Sequence, residues 1–208
     1  MNEDSHPGKS GTTAPGKARA VFLDRDGVLI EDRGYVYRVE DVVVLPGVGP
    51  ALLRLMDAGF GLFVVTNQSG IGRGYYRVED VQRVNRHVET ELARAGVRFQ
   101  RIYFAPEAPE QPSRGRKPSP QFLFDARGDY GLDLSRSYVI GDKRSDLECG
   151  WRAGVKASLL VRTGYGPQTE RDLGTPMGPM HVFDDLPAAV QWILTQADRE
   201  TGSERTSS

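Results

Sequence analysis

A single cysteine, Cys149, stands in 208 residues, so neither an internal disulfide nor a multi-thiolate metal cluster can form. That scarcity suits a reducing compartment, and the expected location is the cytoplasm. No apolar run approaches the ~20 residues needed to span a membrane, so no membrane partner is expected. Excess charge is also missing. Lys and Arg number 27 against 28 Asp and Glu, and a net charge of −1 gives no basic field for nucleic acid. Residues 1–17 carry no large apolar side chain after Met1, which argues against a secretory signal and reads as a disordered polar tail. Within that tail Gly8-Lys9-Ser10 imitates a phosphate loop, but the fingerprint requires glycine where Glu3 stands and a preceding strand. Residues 198–208 read as a second polar tail. A single folded domain is expected over 18–197, with no segment long enough for a large cap.

What the chain does contain is a repeated junction. "DAGF" (57–60), "RAGV" (94–97) and "RAGV" (152–155) each end a helical pattern, place glycine just past it and begin an apolar run. Before Gly96, Val78, Val81, Val84, Val88, Leu92 and Ala95 recur at spacings of three and four, which predicts one amphipathic helix with Glu79, Arg83, Arg86 and Glu89 opposite. Strands are predicted at 18–23, 61–65, 101–105, 137–141 and 158–162, with a sixth at 181–183. They are Val/Ile/Phe-rich without strict alternation, as strands buried on both faces are. Strands alternating with helices predict an α/β fold, a Rossmann-like parallel sheet with helices on both faces.

Ligands of such sheets bind beyond the carboxyl ends of the strands. There the sequence places Asp24-Arg25-Asp26-Gly27, then Thr66-Asn67-Gln68-Ser69-Gly70, then Asp142-Lys143-Arg144-Ser145-Asp146. Arg116 and Lys117 follow the third strand after a proline-rich loop. Alone, "VFLDRDG" fits a solvated turn, a metal clamp, or a nucleophile with its acid/base partner. As a set, the residues suggest phosphoryl transfer through an aspartyl-phosphate. Asp24 would be the nucleophile, and Asp26 the acid on the leaving oxygen and then the base on water. Mg²⁺ would offset the carboxylates through Asp24 and Asp142. The Thr66 hydroxyl, the Asn67 N–H and Lys117 would meet charge on the transferring oxygens. Cys149, Trp151 and Trp192 are expected to pack, and His6 and His181 have no partner in sequence.

The constellation resembles the haloacid dehalogenase-like phosphatase superfamily, whose four motifs match "DRDGV" (24–28), Thr66, Lys117 and "GDKRSD" (141–146) in order. The resemblance implies Mg²⁺ held by Asp24, the backbone carbonyl of Asp26 and Asp142, with Asp146 in support. "DRGYV" (32–36), "VVTNQSGIGRG" (64–74), "RKP" (116–118) and "VRTGYG" (161–166) further resemble the heptose-1,7-bisphosphate phosphatase family. That family removes the C7 phosphate on the way to activated heptose for bacterial lipopolysaccharide or related glycans. It implies a small sugar bisphosphate as partner, with Arg25, Asp32, Tyr35, Thr66, Asn67, Gln68, Ser69, Arg116, Lys117 and Lys143 near the substrate. Members often carry a zinc loop before the Arg-Lys-Pro. Here the corresponding places are Ala105, Glu107, Ser113 and Gly115, so no zinc is expected. A monomer is expected. The alternatives are a histidinol-phosphate phosphatase and, in other classes, a phospho-receiver or a silent sugar-phosphate binder.

Overall fold

The structure, a computed structural model, describes the backbone of residues 18–206. Residues 1–17, with Gly8-Lys9-Ser10 and His6, and residues 207–208 lie outside the described residues. Six strands, β1 (Arg19–Leu23), β2 (Phe60–Asn67), β3 (Arg101–Ala105), β4 (Tyr138–Gly141), β5 (Ala157–Val161) and β6 (Met180–Phe183), form one parallel sheet in the order β3-β2-β1-β4-β5-β6. The six expected strands are present. Six helices alternate with them: α1 (Val48–Asp57), α2 (Val78–Ala93), α3 (Gln121–Tyr130), α4 (Arg144–Ala153), α5 (Gly166–Asp172) and α6 (Leu186–Thr206). Residues 198–206, expected in a polar tail, continue α6 here. Extending a formed helix costs far less than starting one, because each added residue brings a backbone bond.

Alternate strand residues build two cores. Val21, Leu23, Leu62, Val64 and Ile140 pack with Leu52 and Leu55 of α1, Val84 and Val88 of α2, and Val190 and Ile193 of α6. Phe22, Phe63, Val65 and Val139 pack on the other face with Leu123 of α3 and Cys149 of α4. Each large aliphatic side chain removed from water on these faces contributes roughly 1.5–3 kcal/mol. Because both faces are covered, the strands carry few polar residues until their carboxyl ends, where chemistry-bearing side chains become affordable.

The strand order sets the location of the crevice. The chain runs outward from β1 to β3, then returns across the sheet to β4, so the order reverses between β1 and β4. Leu23 pairs with Ile140 in that register. The residues that follow, Asp24 and Asp142, therefore flank the switch point at which open α/β sheets bind ligands. At this edge residues 24–47 and 106–120 form loops, with only a 3-10 turn (Val39–Asp41) in the first. Among the described residues no large cap covers the crevice.

Candidate active site

β1 delivers Asp24 to the crevice, where its N–H donates to Ile140 O of β4 at 3.0 Å. One carboxylate oxygen from each of Asp24, Asp142 and Asp146 falls within 4.8 Å of the others, and all three residues are buried. Asp142 is fully buried. Its Oδ2 accepts the Tyr165 N–H at 2.8 Å, whereas Oδ1 has no hydrogen-bond partner and lies 4.0 Å from Lys143 Nζ. Burial, then the charge of Asp24, push the Asp142 carboxyl up to about 8. Gly27 and Gly164 close around this group with φ of 84° and 55°. A Cβ on either would lie 2.3 Å from Asp142 Oδ2, so both backbone freedom and space demand glycine. An orphaned buried carboxylate oxygen beside two further carboxylates fits a hard divalent cation with oxygen ligands. Asp146 reaches the cluster from the first turn of α4. Its Oδ2 also accepts the Lys143 N–H at 2.9 Å and so caps α4.

Lys117 comes from the loop after β3 and enters from the side. Its buried Nζ contacts Asp146 Oδ1 at 2.5 Å, Val65 O at 2.6 Å and Asp24 Oδ1 at 2.9 Å. Burial works against its charge, but Asp146 and Asp24 outweigh that and hold the ammonium well above its ordinary pKa. Asp24 shows the converse. Burial raises its carboxyl, but Lys117 and then Lys143 bring it below the usual range. The Arg25 N–H and Lys117 both bind Asp24 Oδ1, at 2.7 and 2.9 Å, which leaves Oδ2 free for chemistry. Asn67 fixes the lysine's backbone at two points. Its Nδ2 donates to Lys117 O at 3.0 Å and its Oδ1 accepts the Lys117 N–H at 2.9 Å.

Asp26 turns back beside Asp24. Gln68 Nε2 donates to Asp26 Oδ2 and to Thr66 Oγ1, both at 2.9 Å, and thereby joins two expected site residues. Burial holds the Asp26 carboxyl above the usual range although Arg25 pulls it down. Arg25 lies away from the position expected of a substrate ligand. It is 1% exposed, pairs with Asp26 Oδ2 at 3.0 Å, and donates to Asn85 Oδ1 of α2 at 2.9 Å and to Val36 O at 3.1 Å. Its fork is turned into the protein, tying the first loop to α2.

Above these groups opens a cleft of about 300 Å³ that brings together Asp32, Tyr35, Asn67, Gln68, Ser69, Arg116 and Lys143. Lys143 Nζ donates to Asp32 Oδ2 at 2.7 Å and sits 4.6 Å from the centre of the Tyr165 ring. Tyr35 is exposed and meets Tyr75 edge-on at 5.1 Å. Tyr76 and Tyr165 also line this cleft, and neither was expected from the sequence. Tyr165 follows β5 at the same edge, so the strand-end rule could have found it. A larger hollow, about 450 Å³, opens at the opposite edge between Arg19, Phe60, Arg98 and Tyr130, and contains none of the site carboxylates.

A family model described as "HAD-hyrolase-like" matches residues 115–189, which include Lys117, Asp142 and Asp146. The chain is 39% identical to a D-glycero-D-manno-heptose-1,7-bisphosphate 7-phosphatase of Thermosynechococcus vestitus, over 85% of this chain and 95% of that one. It is 42% identical to a D-glycero-beta-D-manno-heptose-1,7-bisphosphate 7-phosphatase of Haemophilus ducreyi, over 70% and 84%. A crystal structure of D,D-heptose 1.7-bisphosphate phosphatase from B. bronchiseptica, complexed with magnesium and phosphate, superposes with a TM-score of 0.80 at 32% identity, covering 86% of this chain and 99% of that one. With a parallel sheet whose switch point holds Asp24, Asp142 and Lys117, the chain belongs to the D-glycero-D-manno-heptose-1,7-bisphosphate 7-phosphatase family of haloacid dehalogenase-like phosphatases.

Proposed function

We propose that the protein hydrolyses the C7 phosphate ester of D-glycero-D-manno-heptose 1,7-bisphosphate through an aspartyl-phosphate on Asp24. The observation that carries this reading is the pairing of Lys117 Nζ with Asp24 Oδ1, which leaves Oδ2 to attack, beside an Asp26 whose carboxyl is held above its usual range. Asp24 Oδ2 forms the bond to phosphorus while the sugar oxygen leaves with the Asp26 proton. Asp26, now ionised, takes a proton from water as that water attacks the aspartyl-phosphate, and inorganic phosphate departs with Asp24 restored. Lys117 and the Thr66 hydroxyl face the charge on the transferring oxygens. Asp24, Asp142 and Asp146, with the Asp26 carbonyl, would hold Mg²⁺, which when bound neutralises charge on the phosphoryl oxygens and the carboxylates.

The second phosphate needs cations outside the carboxylate cluster, and Arg116 and Lys143 line the cleft where it would lie. The cleft volume suits one small sugar bisphosphate. We place the enzyme in the cytoplasm as a zinc-free monomer that binds neither nucleic acid nor membrane. In support, no helix among the described residues is long and apolar enough to cross a membrane, and 104–118 contains neither Cys nor His.

The test is a Mg²⁺-dependent panel of both heptose 1,7-bisphosphate anomers and histidinol phosphate, compared by kcat/KM. A heptose bisphosphate is expected to be the best substrate, and higher efficiency on histidinol phosphate overturns the choice. Asp24→Asn is expected to abolish turnover, and an active variant removes the nucleophile assignment.

A further inference from the structure

We propose that Glu107 and Ser113 form a hydrogen-bonded clasp that positions the Arg116 guanidinium for the substrate's second phosphate. The inference rests on the sugar-bisphosphate reading above. Ser113 Oγ donates to Glu107 Oε2 at 2.6 Å and accepts the Arg116 N–H at 3.1 Å. The main-chain carbonyl of Glu107 accepts Arg116 Nη1–H at 3.1 Å. Glu107 thus holds the two ends of the arginine, its backbone through Ser113 and its guanidinium directly. Among the described residues no other hydrogen bond engages that guanidinium, so Nε and Nη2 are left to face an anion side-on, in the two-point geometry that suits phosphate.

The loop around the clasp has no helix or strand of its own, so its shape depends on such ties. One end is pinned where Pro106 O accepts the Gly72 N–H at 2.8 Å. A Cβ on Gly72 would lie 2.3 Å from Gln111 Oε1 and 2.5 Å from Ala108 N, so this end presses on the 66–74 loop. The other end is pinned by Asn67 on the Lys117 backbone. Between the pins, the Glu107–Ser113 bond joins residues six apart, and 2.6 Å is the short separation of a hydroxyl donating to an ionised carboxylate. Deleting it loosens the hold on the Arg116 N–H, while Arg114 stays paired with Asp125, the Arg116 carbonyl keeps the Ser119 N–H at 2.8 Å, and Lys117 stays held by Asn67. The clasp therefore acts on recognition of the second phosphate and spares the transfer step.

The test compares heptose 1,7-bisphosphate with heptose 7-phosphate, which lacks the second phosphate. Ser113→Ala is expected to raise KM for the bisphosphate about three- to tenfold, the worth of one lost hydrogen bond, with kcat within about twofold. Its kinetics on the monophosphate should match wild type, Ser113→Thr should restore the bisphosphate KM, and Ser113→Ala should add nothing in an Arg116→Ala background. If Ser113→Ala does not yield folded protein, Glu107→Gln decides, with a KM rise of about twofold on the bisphosphate alone. Equal losses on both substrates, failure of threonine to rescue, or additivity with Arg116→Ala overturns the clasp. Equal wild-type kcat/KM on the two substrates overturns the bisphosphate reading and the clasp with it. A preference that needs Arg116 but ignores Ser113 and Glu107 overturns the clasp alone.

Discussion

Replacing Arg25 by alanine separates two roles for this residue, contact with substrate and internal support. The side chain is 1% exposed and meets Asp26, Asn85 and Val36 O. Removing one partner of a buried ion pair costs about 3–5 kcal/mol, because the other charge stays buried and uncompensated. The whole fold is worth only about 5–15 kcal/mol. With about 2–4 °C lost per kcal/mol in a domain of this size, Arg25→Ala should lower Tm by roughly 10 °C. Asp26 also loses the charge that pulls its carboxyl down, so it keeps its proton to higher pH and the alkaline limb of kcat/KM should move upward. Arg25→Lys keeps the charge without the fork and should fall between. Thermal unfolding followed by circular dichroism, together with a pH–rate profile, measures both effects. A variant that melts within about 2 °C of wild type, where a lost buried pair predicts far more, but shows a raised KM, would refute this reasoning and return Arg25 to the substrate.

Asp142→Asn removes a carboxyl that folding pushes up to about 8, so the cost of protonating it in the metal-free protein is lost and metal-free Tm should rise by about 2–4 °C per kcal/mol gained, while the stabilisation by Mg²⁺ disappears. Differential scanning fluorimetry with Mg²⁺ or EDTA decides, and an undiminished Mg²⁺ shift in the variant would refute the assigned site. Asn67→Ala loses both bonds to the Lys117 backbone. It should lower kcat on the order of tenfold, and unchanged single-turnover rates would count against it. Burial pushes the Cys149 thiol up to about 12 from an ordinary 9.0. Alkylation at pH 8 should therefore run on the order of a thousandfold slower in the folded protein than in urea. The native thiol keeps its proton where the unfolded one ionises, so the stability it lends is present below about 9 and lost above it. Rapid labelling of folded protein, or a Cys149→Ser variant with the same alkaline loss of stability, would contradict this.

Asp24, Thr66 and Asp142 were legible because strands buried on both faces carry few polar residues before their carboxyl ends. The first polar residues past the apolar runs therefore marked the crevice. The supporting place of Asp146 came from the resemblance of "GDKRSD" to the family's fourth motif, and the structure sets it in the first turn of α4. The direction of Arg25 was not legible. Asp24, Arg25 and Asp26 are neighbours in one loop, and only the arrival of Asn85 on α2 and of Val36 O decides that the middle residue turns inward. The two-point hold of Asn67 on Lys117 spans fifty residues of sequence and has no local signature. Likewise the Glu107–Ser113 bond depends on where a loop without regular structure folds back. In each case composition named the donors and acceptors, and the pairing came from tertiary contact.

The charges in the crevice impose a further constraint. Arg25 is taken by Asp26, Lys117 by Asp24 and Asp146, and Lys143 by Asp32, so five carboxylates, Asp142 included, face three cations. With all five ionised the deficit is two negative charges, and with Asp26 carrying its catalytic proton it is one, so a divalent cation leaves the crevice neutral or positive toward a phosphate. Lys143 is the shared member of this balance. It lies 4.0 Å from Asp142 Oδ1 and also lines the cleft where phosphate would bind. Lys143→Gln should then move two affinities in opposite directions. Removing a positive charge beside Asp142 should tighten Mg²⁺ binding to the substrate-free enzyme by about tenfold, after discounting for partial exposure and salt. The same change should raise KM for the bisphosphate. Calorimetric Mg²⁺ titration and steady-state kinetics on one preparation read both. General damage to the site would weaken both affinities together, and that outcome would refute the charge balance.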